Sequence, residues 1–166
     1  MKYAYINPDG GLTIVSPSTQ YLKRILHKFK NKYDAIEYIG KEAARKAGHT
    51  IYIGKVINDP NLSREFRDAW ILSNDNEIKI SIKKAIEIHK NKIRSYRQAI
   101  LDKLDKELLR ANEQDNIEET KLIIQEKQRL RDLPATLKID NASTVEELKS
   151  LWDISLGANP YKNDGV

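Results

Sequence analysis

Ile82, Ile86, His89, Ile93, Tyr96 and Ile100 recur at 4-3-4-3-4 spacing, and that interval constrains the chain more than any other feature. It is the period of an apolar stripe along one long helix. Leu101, Leu104, Leu108 and Ala111 carry the stripe onward after a phase shift, as a stutter does. The polar stretch Asn112 to Asn116 reads as a loop. A second helix, Ile117 to Asp132, then carries Ile117, Leu122, Ile123, Ile124 and Leu130. A long helix, a short loop and a shorter helix make an antiparallel hairpin. Both stripes are narrow and densely flanked by charge, so each helix buries only a seam. A partner helix or a second copy of the chain is then a natural companion.

Pro134 has no amide hydrogen and biases Leu133 away from helical geometry, so the hairpin is expected to stop there. Ser143, with Glu146 three residues on, has capping-box spacing and restarts a helix with Val145, Leu148, Leu151 and Trp152 on its apolar face. That face can fold back on the hairpin base. The remainder, GANPYKNDGV, is expected to be a mobile polar tail.

The first 82 residues have another character. KYAYI and LTIVS are β-rich runs around NPDGG, a hairpin signature over residues 2–15. From Ser18 a capped helix is expected with Tyr21, Leu22, Ile25, Leu26 and Phe29 on one face. YDAIEYIGKEAARKAG reads as a second helix ended by Gly48. His49 to Ile57 is the expected central strand. A short helix carrying Phe66 and Trp70 follows, and then a strand on which Ile78, Ile80 and Ile82 alternate with charge. The expected fold class is α+β: a small N-terminal β-sheet with packed helices, plus a long antiparallel helical hairpin and a short C-terminal helix. The divisions fall at 1–82, 83–156 and 157–166.

At 166 residues and 40% hydrophobic composition the chain can fill a real core, but Trp and Phe together number four, so Ile, Leu and Tyr must supply it. The absence of cysteine excludes disulfides, thiolate metal sites and a cysteine nucleophile. MKYAYINPDG breaks at Pro8-Asp9-Gly10 before an apolar signal-peptide core forms. No apolar run approaches the roughly 20 residues of a membrane span. The default is a soluble cytoplasmic protein. The net charge of +5 is uneven: ten Lys/Arg against five Asp/Glu in residues 1–60, twelve against eight in 61–112, seven against eleven in 113–166. A basic front and an acidic tail suit ordered association, with nucleic acid or between copies, although a solvated helical surface yields much the same asymmetry.

Catalytic signatures are missing. His27, His49 and His89 are far apart and form no ligand pair, so no metal site is expected. On the stripe, His89 reads first as a satisfied core or interface residue. The acid pairs Asp102/Asp105, Glu118/Glu119 and Glu146/Glu147 fall on exposed helical faces, where nothing separates their pKa values for acid–base work. Neither NPDGG nor YIGKVI has the glycine pattern of a phosphate cradle. The chain is expected not to be an enzyme and to use no cofactor. Lys23, Arg24, Lys28, Lys30 and Lys32 surround Phe29 and could neutralise several phosphates, although no recognised nucleic-acid module is present and aromatic residues are sparse.

Several motifs occur in a recognisable order: FRDAW from Phe66 to Trp70, KAIEIHKNKIR from Lys84 to Arg94, LDKELLRANEQD from Leu104 to Asp115, KQRLRDLP from Lys127 to Pro134 and IDNASTVEELKSLW from Ile139 to Trp152. Together they resemble small bacteriophage and prophage tail-associated proteins, the tail fibre assembly and tail assembly chaperone-like group, over roughly residues 64–152. Residues 17–50 look like an insertion into that pattern, and Trp152-Asp153 stands where a Trp-Pro pair closes the tail assembly chaperones. The resemblance implies a virion tail or fibre component or an assembly chaperone, acting through protein–protein contacts in the host cytoplasm or the virion tail, with a phage tail or tail fibre protein as partner. The seam residues Ile86, His89, Ile93, Tyr96 and Ile100 are candidate contacts, an internal core being their competing role. The alternative is a phage regulatory protein binding nucleic acid through Lys23 to Lys32.

Overall fold

The structure, a computed structural model, describes residues 1–49, 53–58, 62–74 and 77–162. The chain forms two compact units, Met1–Ser81 and Ile82–Val166.

In the N-terminal unit, β1 (Lys2–Ile6) and β2 (Leu12–Val15) form the expected antiparallel hairpin, and β3 (Ile53–Ile57) pairs with the other side of β1. Gly10 takes φ +79° in the hairpin turn, which Gly10 N closes by donating to Asn7 O at 2.9 Å. The strand expected in the centre is thus on an edge, and β1 occupies the middle. Both faces of β1 are buried, Tyr3 and Tyr5 on one side and Ala4 on the other, which is what a central position requires. Residues 50–52 of the expected strand lie outside the described residues.

On the tyrosine face lies α2 (Lys32–Lys46), capped by Asn31, whose side chain accepts from Asp34 N at 3.0 Å. Ile36 and Ala44 pack there against Tyr3, Tyr5 and Val56. Gly48 ends the helix in the left-handed region at φ +88°. The preceding α1 (Thr19–Ile25) is shorter than the apolar pattern suggests and passes into a 3-10 turn, Leu26–Lys28. Ser18 makes no side-chain cap, and of the expected face Ile25 is buried while Tyr21 and Leu26 are exposed.

The opposite sheet face is covered by β4 (Trp70–Leu72) and β5 (Ile78–Ile80), an antiparallel pair forming a separate sheet. Ala4, Ile57 and Ile78 make its core, with Leu12, Ile14, Leu62, Trp70 and Leu72 packed around them. The short helix expected before Trp70 is a 3-10 segment, Arg64–Ala69, kinked at Phe66; Phe66 and Ala69 are buried and Trp70 already belongs to β4.

The C-terminal unit is built on the hairpin of α3 (Ile82–Glu113) and α4 (Ile117–Thr136). Asp115 at φ +51° makes the turn, and Asn116 caps α4 by accepting from Glu119 N at 3.2 Å. Ile93, Ala111, Ile123, Leu130 and Leu133 are buried. The buried Lys127 donates to Asp105 across the hairpin.

Contrary to expectation, α4 does not stop at Pro134 but continues to Thr136. A helical proline leaves the carbonyl four residues earlier without its donor. That carbonyl is Leu130 O, and Arg97 of α3 supplies the bond, with Nη1 donating to Leu130 O at 3.2 Å and to Arg131 O at 2.9 Å. Leu137 closes the helix, and Lys138 beyond it turns the chain away in the left-handed region at φ +51°. A 3-10 turn, Ile139–Asn141, leads to α5 (Val145–Ser150). Its capping box is Thr144 with Glu147, one residue later than Ser143 with Glu146. That register turns Val145 and Leu148 inward.

The tail is folded back, not loose, as far as Lys162. Trp152 Nε1 donates to Gly157 O at 3.0 Å, and Asn159 Nδ2 donates to Lys149 O at 2.8 Å. Residues 163–166 lie outside the described residues.

Candidate interaction surfaces

The seam residues converge on His89, which is fully buried. Its Nε2 lies 2.9 Å from Leu151 O, and because a carbonyl only accepts, Nε2 carries the proton. Nδ1 is then free to accept from the Tyr161 hydroxyl, also at 2.9 Å. The Tyr161 ring stacks on the imidazole at 5.5 Å, and Lys92 Nζ lies 4.4 Å from the Tyr161 ring centre. Tyr96 meets Trp152 edge-on at 5.0 Å. Burial pushes the His89 pKa down from its ordinary value; the Leu151 carbonyl opposes this and the Lys92 charge adds to it. Both ring nitrogens are satisfied, so His89 stands as a neutral core residue.

Of the five candidate contacts, then, His89 and Ile93 face the unit's own interior, and Ile86 and Ile100 are half-buried. Only Tyr96 is exposed, and it leans on Trp152. The surface the hairpin does present is different: Leu109 is 60% exposed, Ile117 66%, Leu122 66% and Ile124 52%. In the run Leu122-Ile123-Ile124 only Ile123 fits the seam, because successive helical residues point about 100° apart. The apolar run itself is the sequence signal for this surface.

In the N-terminal unit Lys23, Arg24, Lys28, Lys30 and Lys32 are all exposed, and none forms an ion pair among the described residues. Arg24 lies over the Tyr21 ring at 5.2 Å, and Tyr21, Tyr33 and Tyr38 are exposed along the same stretch. Aromatic surface is therefore richer here than the Phe29-centred pattern suggests, since Phe29 itself packs on Tyr38 at 5.2 Å.

Several of the remaining titratable groups have structural duties. Glu119 and Glu147 serve helix caps, and Asp105 holds Lys127. Arg129 chelates Glu126 through two 2.8 Å bonds and reaches Asp153 at 3.5 Å. The Arg129 bond holds the Glu126 carboxyl below its usual range; at Asp153 the Ser155 hydroxyl does so first. Lys90 reaches Asp140 at 2.6 Å, which raises the Lys90 pKa. His49 packs against Tyr5 at 5.4 Å. No group of three or more His, Asp or Glu among the described residues could hold a metal ion. No helix among the described residues is long and apolar enough to cross a membrane.

Compared with protein-family models, curated proteins and solved structures, the chain has no match.

Proposed function

We propose that the chain is a bacteriophage tail-associated protein that works by protein–protein contact, as a tail or fibre component or as an assembly chaperone. The observation that carries this reading is the set of large apolar side chains, Leu109, Ile117, Leu122 and Ile124, left more than half exposed on the hairpin. Scattered surface apolar residues are ordinary, but four on one hairpin give a partner apolar surface to cover. The resemblance of the ordered motifs over residues 64–152 to those of tail-associated proteins supports the same reading. The candidate contacts shift accordingly from the inward seam to the exposed apolar side chains of the hairpin.

The test is purification of the tagged protein from infected or prophage-induced cells at moderate and at high salt. A tail or fibre protein retained in stoichiometric amount at high salt supports the proposal, because apolar contacts survive screening. Loss of that protein in a Leu122→Glu/Ile124→Glu variant assigns the surface. A second reading has its own observation: five exposed cations with no ion pair among the described residues, on the same stretch as three exposed tyrosines, a combination suited to single-stranded nucleic acid. Nucleic acid that leaves with salt, and no protein partner, would overturn the first reading in favour of the second.

A further inference from the structure

The N-terminal unit contains a groove of about 330 Å³ lined by Lys2, Arg64, Arg67, Ser16 and Trp70 over a floor that includes Leu12 and Ile14. Its construction follows from the fold. Lys2, Leu12 and Ile14 project from the sheet face turned toward β4, while the kinked 3-10 segment brings Arg64 and Arg67 to the rim. Every charged lining residue described is a cation. Glu65 and Asp68, which alternate with the arginines in sequence, do not line it, and Glu65 is held by the Ser63 hydroxyl.

Arg64 and Arg67 are exposed and form no ion pair among the described residues. The indole of Trp70 belongs to the same wall, and its Nε1 is buried with no hydrogen-bond partner among the described residues. A buried donor without an acceptor calls for an explanation, and here it stands beside two guanidinium groups and a hydroxyl. The polar side chains of the lining offer N–H and O–H donors, above apolar walls.

We propose that this groove binds a small ligand bearing an oxyanion, phosphate or carboxylate, on an apolar body. Arg64 and Arg67 take the anionic oxygens in forked, charge-assisted bonds, and the apolar part lies against Leu12, Ile14 and Trp70. A groove of this volume matches small-molecule sites, which combine apolar walls with a few placed polar groups. The groove belongs to the N-terminal unit and the exposed hairpin side chains to the C-terminal one.

The experiment follows the two indole N–H resonances of the full chain during titration at constant ionic strength. The probes are phenyl phosphate, benzoate, inorganic phosphate and benzyl alcohol. Trp152, whose indole already donates to Gly157 O, is the internal reference. Phenyl phosphate or benzoate should move the Trp70 resonance and leave that of Trp152 in place, and the stronger of the two identifies the anion. Arg64→Gln/Arg67→Gln, two surface changes, should weaken that binding about tenfold or more with an unchanged circular dichroism spectrum. No shift with either aromatic anion, or an undiminished shift in the double variant, would overturn the proposal. Equal binding of benzyl alcohol would sink the anion requirement, and equal binding of inorganic phosphate would sink the apolar one.

Discussion

Gly40 lies where α2 meets the ring of the buried Tyr3, and a Cβ built there would sit 2.1 Å from Tyr3 Cγ. The ring is enclosed and has no room to swing aside, so Gly40→Ala should destabilise the N-terminal unit by about 3 kcal/mol in urea unfolding. At Gly48 a Cβ would meet nothing within 4 Å, and only its φ of +88° resists substitution. Gly48→Ala should therefore cost about 1 kcal/mol. Equal costs would mean that backbone conformation, not the Tyr3 contact, governs both glycines. His89 gives the other residue-scale expectation. Above its ordinary pKa of 6.5 it is neutral in both folded and unfolded chain. Below that value the unfolded chain takes up a proton that the buried imidazole refuses. Stability thus falls as pH drops from about 6.5, by at most about 1.4 kcal/mol per pH unit. The carboxyls held low, Glu42, Glu126 and Asp153, act only below their ordinary values of 4.5, 4.5 and 3.8. Urea midpoints at pH 5.0 and 7.5 should differ clearly in the native chain and much less in His89→Gln; an unchanged difference would remove His89 as the cause.

Among the elements, α4 departs furthest from its sequence signal, and the departure has a measurable cause. Proline stops a helix when the freed carbonyl has no other donor, but a guanidinium from the antiparallel neighbour fills that place here. Arg97→Met should destabilise the C-terminal unit by about 2 kcal/mol, since it strips a charged donor from two carbonyls. In a Pro134→Ala background the restored amide can bond Leu130 O, and the same change should cost markedly less. A double-mutant cycle without coupling would show that Arg97 acts by packing alone. The case also shows what the sequence conveys at this scale. The hairpin, the long α3 and the turn at Asn112 to Asn116 follow from local periodicity and polarity, so they are legible. The passage through Pro134 depends on Arg97, 37 residues earlier, which no local pattern carries. The edge position of β3 and the exposure of Leu122 and Ile124 are likewise products of tertiary pairing. So is the cationic groove: Lys2, Ser16, Arg64 and Arg67 are scattered in sequence and meet only in the fold.

At the scale of the whole molecule, each unit has buried side chains of its own: Tyr3, Ile36 and Val56 in one, His89, Ile93, Leu130 and Leu148 in the other. Units of this size bury a modest fraction of their surface, so a few peripheral contacts weigh heavily in each. The tail of the C-terminal unit supplies such contacts. Tyr161 gives His89 its hydroxyl donor and a stacked ring, and Asn159 closes on Lys149 O. A chain ending at Gly157 would leave Nδ1 of His89 without that donor and uncover a ring that is otherwise fully buried. Its C-terminal unit should unfold at a distinctly lower urea concentration. Tyr161→Phe should lose about 1–2 kcal/mol, the part due to the hydroxyl. With Trp70→Phe and Trp152→Phe versions as single-tryptophan reporters, the Trp152 transition should move on truncation while the Trp70 transition stays in place. Transitions that move together would mean that the two cores melt as one cooperative body, and the division at Ser81 would then mark a change of architecture but not of stability.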